Sequence, residues 1–193
     1  MVRALDGTPW GRGGVSVVRV GLGSLVLLIG CGSGAGPTTG SSPSTSGAPR
    51  WPEAWVALEA EVLELVNIKR GALNACGGEL QGSQPPLERD LLLTEVARGH
   101  SEDMSERGFF DHVNPDGLDV EGRLIEAGYG GDYPWGENIA AGYTSAREVV
   151  DGWMASEGHC RNIMLGDYTV IGIGYYGEGS DGPTWTQVFA GSH

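Results

Sequence analysis

Three internal histidines, His100, His112 and His159, are the side chains of this sequence best suited to bind a metal or move a proton near neutral pH; the fourth, His193, is terminal. His112 stands two residues before Asn114-Pro115-Asp116-Gly117, turn formers in the order a type I or II turn prefers, so its loop is expected to be held. His159 follows Ser156-Glu157-Gly158 and falls in the first turn of an expected helix, where unpaired backbone donors and the positive dipole end gather. Both places allow a ring to be aimed outward. His100 lies in line with Leu93, Ala97 and Met104 at helical spacing, which reads as a packed core or boundary histidine. Glu137, between Gly136 and Asn138 in an otherwise apolar stretch, is a charge whose burial is costly without a cationic or metal partner. His112, His159 and Glu137 together would make a zinc set, although no chelating spacing such as His-Glu-x-x-His joins them.

These groups need elements to hold them. Trp55, Leu58, Val62, Leu65 and Val66 recur at three- and four-residue steps, with Glu59, Glu61, Glu64 and Lys69 on the other face, and Arg70-Gly71 marks the end of this first helix. Pro85-Pro86 is expected to open a second helix, closed by Gly108. A short helix is expected over residues 118–127, ended by Gly128. Ser145 can cap a fourth, with Val149, Val150, Trp153 and Met154 as its apolar face, and Ser156 starts a fifth. From Tyr168 the pattern changes to β-formers: Tyr168, Val170, Ile171, Ile173, Tyr175 and Tyr176, then Trp185, Val188 and Phe189, read as a hairpin across a glycine-rich connection over residues 177–183. Helices followed by antiparallel strands indicate an α+β domain over residues 51–193.

The N-terminus reads as an address. Residues 20–30 are eleven uncharged, mostly apolar residues preceded by Arg3, Arg12 and Arg19, too short to span a bilayer, and they stop at Cys31. Leu28-Ile29-Gly30-Cys31 resembles a bacterial lipobox, which implies cleavage after residue 30 and lipidation of Cys31. Of the nineteen residues 32–50, sixteen are Gly, Ser, Pro or Thr, the composition of a linker with nothing to bury. A chain starting at Cys31 carries 9 basic and 24 acidic residues, a net charge of −15, so nucleic acid is excluded as a partner and an anionic membrane would repel the domain. The membrane is reached through acyl chains instead. Outside the cytoplasm, Cys76 and Cys160 are the two thiols left, and they are expected to pair, the alternative being two free buried thiols. Closing a loop of that size is worth roughly 4 to 5 kcal/mol in the chain-entropy picture.

Three strings together carry a family resemblance: Phe109-Phe110-Asp111-His112-Val113-Asn114-Pro115-Asp116-Gly117; Gly136-Glu137-Asn138-Ile139-Ala140; and Val149-Val150-Asp151-Gly152-Trp153-Met154-Ala155-Ser156 followed by Gly158-His159-Cys160-Arg161-Asn162-Ile163-Met164. In this order, across residues 55 to 190, they resemble the bacterial branch of the CAP superfamily, which includes cysteine-rich secretory proteins, antigen 5 and plant pathogenesis-related proteins. The resemblance implies an α-β-α sandwich, secretion, and a cleft lined by residues matching His112, Glu137 and His159. Eukaryotic relatives add a second glutamate and can hold a divalent metal; spacing from Trp153 puts Ser156 at that position, with Glu157 one residue on and turned by about 100°. The resemblance spans sterol or lipid binding, channel blockade and proteolysis. Three functions follow as expectations: a lipid-anchored, extracytoplasmic protein whose His/Glu cleft binds a lipid or envelope ligand, with or without a divalent metal such as zinc; a metal-assisted peptidase or cell-wall hydrolase using His112, His159 and Glu137; or an envelope interaction module in which these residues only stabilise the fold. Tyr129, Tyr133, Trp135 and Tyr143, near Glu137, are candidate groove walls or core aromatics.

Overall fold

Helices with one apolar side must bury it, and here five of them cover the two faces of a sheet. The computed structural model describes residues 3–5, 51–130 and 134–191. In chain order the elements are β1 (Arg3–Leu5), α1 (Glu53–Arg70), β2 (Asn74–Cys76), β3 (Glu79–Gln81), β4 (Glu88–Arg89), α2 (Leu91–Glu106), α3 (Val120–Glu126), β5 (Trp135–Ala141), α4 (Ala146–Ala155), α5 (Glu157–Met164), β6 (Val170–Tyr176) and β7 (Thr184–Ala190). The main sheet runs β1-β5-β7-β6-β4, antiparallel except where β4 joins β6, and β2 pairs with β3 as a separate hairpin. The expected β6–β7 hairpin is its centre.

Strand alternation sends side chains to two different cores. Ile171, Ile173, Tyr175, Trp185 and Phe189 pack with α1, α4 and α5; Val188 and Ala190 pack with Leu93, Val96, Ala97, Val120 and Leu124 of α2 and α3. This is the α-β-α sandwich. On the second face, β6 carries Gly172 and Gly174, where a Cβ would come within 2.0 Å of the Leu93 carbonyl carbon and 2.3 Å of that of Ala97. The α2 backbone therefore lies directly against β6.

Two local expectations are corrected. Pro85-Pro86 leads into β4, and α2 starts only at Leu91, because Asp90 caps it: the Leu93 N–H donates to its Oδ1 at 2.8 Å. Glu59, placed on the solvent face by periodicity, is buried at 2% exposure and accepts hydrogen bonds from Arg98 Nε and Nη2 and from Trp51 Nε1. A partner on another helix overrides the amphipathic pattern there. Arg70, expected only to mark a helix end, is fully buried and donates to the carbonyls of Pro85, Ile163, Leu165 and Tyr168.

Cys76 and Cys160 form a disulfide across 84 residues with a Cα–Cα distance of 5.5 Å, joining the β2–β3 hairpin to α5. Cys31, residues 20–30 and 32–50, Tyr133 and His193 lie outside the described residues; Arg3–Leu5, within the segment read as a signal, pairs with Ile139–Ala141 of β5. The Cys76→Ala/Cys160→Ala double variant should lose about 2–5 kcal/mol of unfolding free energy in urea titrations under oxidising conditions. Equal stability of the two proteins would contradict a structural role for the bridge.

Candidate functional site

Glu137 is directed by register. On β5 it pairs with Val188 of β7, whose side chain belongs to the core under α2 and α3, so the carboxylate faces that layer; its side chain is 1% exposed. Asn138, next along the strand, points to the opposite face and donates to the backbone carbonyl of His159 in α5 at 3.3 Å.

Three side chains converge on Glu137 from the α2/α3 side. Arg123 Nη2 donates to Oε2 in a short ion pair, while its Nη1 donates to the carbonyls of His112 at 2.9 Å and Leu118 at 3.0 Å. His112 Nδ1 is 2.8 Å from Oε1; an ionised carboxylate only accepts, so Nδ1 carries the hydrogen, and in the neutral ring Nε2 would hold the lone pair. That Nε2 meets no hydrogen-bonding group among the described residues. His100 Nε2 lies 3.0 Å from the Asp111 carbonyl and 3.8 Å from Oε1, which by the same reasoning makes Nε2 the donor and leaves Nδ1 bare among the described residues. His100 is fully buried, whereas the His112 side chain keeps 18% exposure and that of Arg123 9%, the His112 Nε2 itself being buried.

The local sequence builds this arrangement. Asn114 Oδ1 accepts from the N–H groups of Asp116 at 3.1 Å and Leu118 at 2.9 Å, holding the turn after His112, and Asp119 Oδ1 caps α3 at Gly122 N, 2.9 Å, which sets Arg123 just inside the helix. Burial alone would raise the Glu137 carboxyl; the charges of His100 and Arg123 and the hydrogen bond and charge of His112 outweigh it and hold it at about 2. Of these groups only the guanidinium is permanently charged. Burial lowers His100 more than Glu137 raises it, so that ring takes up its proton only below the ordinary imidazole range.

The other expected site residues lie elsewhere. His159, expected to aim outward, is fully buried at the start of α5, in the layer on the other face of the sheet. Ser156 links α4 to α5, its N–H donating to the Trp153 carbonyl at 3.2 Å. Glu157 pairs with Arg161 at 2.8 Å and lies against Gly77 of the β2–β3 turn. Sequence reasoning misses Arg123 and the site role of His100. The signal for Arg123 is the need of Glu137 for a cation, but no spacing rule names a partner in a different element.

A metal held by His112, Glu137 and His159 does not fit this donor set. The His112 nitrogen beside the carboxylate carries hydrogen, Arg123 covers Oε2, and His159 belongs to the other layer. Among the described residues, no group of three or more His, Cys, Asp or Glu side chains is arranged to hold a metal ion. What the site does offer is a buried carboxylate gripped by an imidazole and a guanidinium, the second imidazole nitrogen, His112 Nε2, being buried and without a hydrogen-bonding partner among the described residues. Beside it, a groove of about 560 Å³ opens between α2 and α3, with His100 and Arg123 in its wall and Glu102, Glu106, Asp116 and Glu126 around it.

The profile of the CAP, or cysteine-rich secretory protein, family matches residues 63–189, more than half of the chain. The chain is 37% identical over 158 residues to the "Uncharacterized protein YkwD" of Bacillus subtilis (strain 168), covering 80% of this chain and 54% of that protein. It is 34% identical over 132 residues to the "Uncharacterized membrane protein YlbC" of the same organism, covering 68% and 35%. It thus spans about half or less of the length of these relatives. Among solved structures, an extracellular protein containing an SCP domain from Bacillus anthracis str. Ames superposes with a TM-score of 0.62 at 28% identity, covering 76% of this chain and 45% of that one. An outer surface protein from Borrelia burgdorferi, at 21% identity, TM-score 0.55 and coverage of 73% and 94%, shares the fold.

The shifts at this site make stability fall with acid. As pH drops, the unfolded chain takes up protons before the folded one does, at His100 below its ordinary 6.5 and at Glu137 from 4.5 down to about 2. Glu102, raised by burial and Glu106, acts with the opposite sign. The Glu137 step is worth about 3 kcal/mol. Urea unfolding across this range should show the wild type losing its advantage over Glu137→Gln as pH passes from 4.5 toward 2; a constant difference would refute the assignment.

Proposed function

Taking as given that the chain belongs to the CAP, cysteine-rich secretory protein family, we propose that it is an extracytoplasmic, lipid-anchored protein that binds a polar envelope ligand in the groove walled by His100 and Arg123, without turnover. The observation that carries this reading is the groove of about 560 Å³ whose wall includes His100 and Arg123, the residues that reach the buried Glu137 carboxylate from α2 and α3. Its volume suits a small organic ligand. The acidic surround repels anions, which favours a neutral or amine-bearing polar compound over a phosphate. A metal-assisted hydrolase is the weaker reading, because Arg123 occupies the carboxylate that such a mechanism requires.

The extracytoplasmic location rests on the lipobox-like string before Cys31, on the Cys76–Cys160 disulfide, and on relatives described as extracellular or outer-surface. Among the described residues no helix is long and apolar enough to cross a membrane; membrane retention is assigned to acylated Cys31 on the strength of the lipobox-like string.

Two measurements test these statements separately. Soluble glycopeptides released from a bacterial cell wall by muramidase, titrated into the ¹⁵N-labelled protein, should shift the amides of Gly99, Asn114 and Leu118, and Arg123→Gln should weaken that binding tenfold or more. Unchanged spectra would rule out this ligand class. Separately, Cys31→Ser should move the protein from the membrane fraction to the soluble one; continued membrane retention would exclude the anchor.

A further inference from the structure

The main sheet ends differently on its two sides. On one, β4 is two residues long and charged, Glu88–Arg89, and offers little to pair with. On the other, β5 runs for seven residues, and its last three, Ile139, Ala140 and Ala141, contain neither a charge nor a proline to turn another strand away. A strand does lie on it: Arg3–Leu5 pairs antiparallel, Arg3 opposite Ala141, Ala4 opposite Ala140 and Leu5 opposite Ile139. Those three residues belong to the segment read as a signal, and cleavage before Cys31 removes them and bares the edge. We infer that the outer edge of β5, with the pocket at its end, is a docking site for an extended peptide segment of a partner protein, basic opposite Ala141 and apolar opposite Ile139.

The pocket gives this edge its selectivity. Ala140 packs into the core under α1, α4 and α5, so strand alternation turns Ala141 and Ile139, and the partner residues opposite them, toward the α2 side. There a pocket of about 470 Å³ is bounded by Ala141 itself, by Met104, Phe109, Phe110 and Thr184, and by Asp181 of the β6–β7 connection. The two phenylalanines are half-buried and Asp181 is exposed. A lysine or arginine entering from the position opposite Ala141 lays its apolar stem on the rings and brings its charge to the carboxylate. Main-chain pairing supplies affinity in such a mode, and the side-chain pocket supplies choice. The acidic balance of the chain from Cys31 onward favours a basic partner as well.

The full chain tests this without relying on cleavage. Ala4→Pro/Leu5→Pro removes two successive N–H groups, so whichever of them faces β5 is lost, while both cores, built between residues 55 and 190, are untouched. A fluorescein-labelled synthetic peptide of residues 1–10 should bind this variant saturably, and the wild-type full chain at least about tenfold more weakly, because the resident strand competes at high effective concentration. Arg3→Glu in the peptide, or Asp181→Asn in the double-proline chain, should weaken binding by about threefold, the scale of an exposed ion pair. Amide hydrogen exchange at residues 139–141 should slow when the peptide is added. The protein recovered from membranes, its intact mass starting at Cys31, should bind the peptide as the double-proline chain does. No saturable binding by the double-proline chain, equal binding of the Arg3→Glu peptide, or a membrane form that keeps residues 1–30 would overturn the proposal. Failure of the cleavage reading shows in the mass and failure of the docking site in the titration, and both leave the groove between α2 and α3 to its own test.

Discussion

A carboxylate withdrawn from water must find its counter-charge within the protein, and the architecture around β5 is organised by that demand. Glu137 lies on the strand at a register position that turns it toward α2 and α3, and each element of that layer contributes something to its neutralisation or orientation. From α2 comes His100, from α3 Arg123, and from the turn between them His112. The Asx-type turn at Asn114 and the cap at Asp119 are small local interactions, yet they decide where the guanidinium and the imidazole end up. Charge compensation and functional geometry are therefore the same set of contacts.

The same rule recurs where no function is involved. Glu59 of α1 is buried against Arg98 of α2, with Trp51 donating to the same carboxylate and lying against the guanidinium. Arg70 is buried without a carboxylate partner among the described residues, solvated by four backbone carbonyls, two of them, from Ile163 and Leu165, at the end of α5. These ions join segments far apart in sequence, and each must be satisfied as a unit, since leaving one partner alone in the interior costs more than the pair returns. Glu137 differs in the kind of partner: beside its guanidinium stand two imidazoles, which can gain or lose a proton.

Much of the fold is legible in the sequence because periodicity reports which face is buried. The α1, α4 and β6–β7 patterns, the turn at Asn114 and the pairing of Cys76 with Cys160 need no tertiary information beyond a compartment argument. Periodicity is silent about partners. It puts Glu59 on the wetted side because glutamate usually belongs there, and it cannot foresee Arg98 arriving from another helix. It lets Pro85-Pro86 outrank Asp90 as a helix start, although a side-chain oxygen that accepts from the Leu93 N–H is the stronger determinant. At the site, Glu137 and His112 stand out by the improbability of their surroundings, and the structure joins them. His100 reads as core, which it is, but a core position can also be a site position when the strand beneath it carries a charge. Arg123 is invisible for the plainest reason: an arginine on a short helix looks like every other surface arginine.

The spacing between α2 and the sheet is set by two missing side chains. At Gly172 and Gly174 there is room for hydrogen and for nothing larger, so the helix axis is fixed by backbone touching backbone. The reach of His100 toward Oε1 is measured from that axis. A single methyl introduced at Gly172 or Gly174 would act as a shim under the helix and lift an imidazole off its carboxylate. The tolerance of the polar cluster is thus written into a strand that contributes no atom to it.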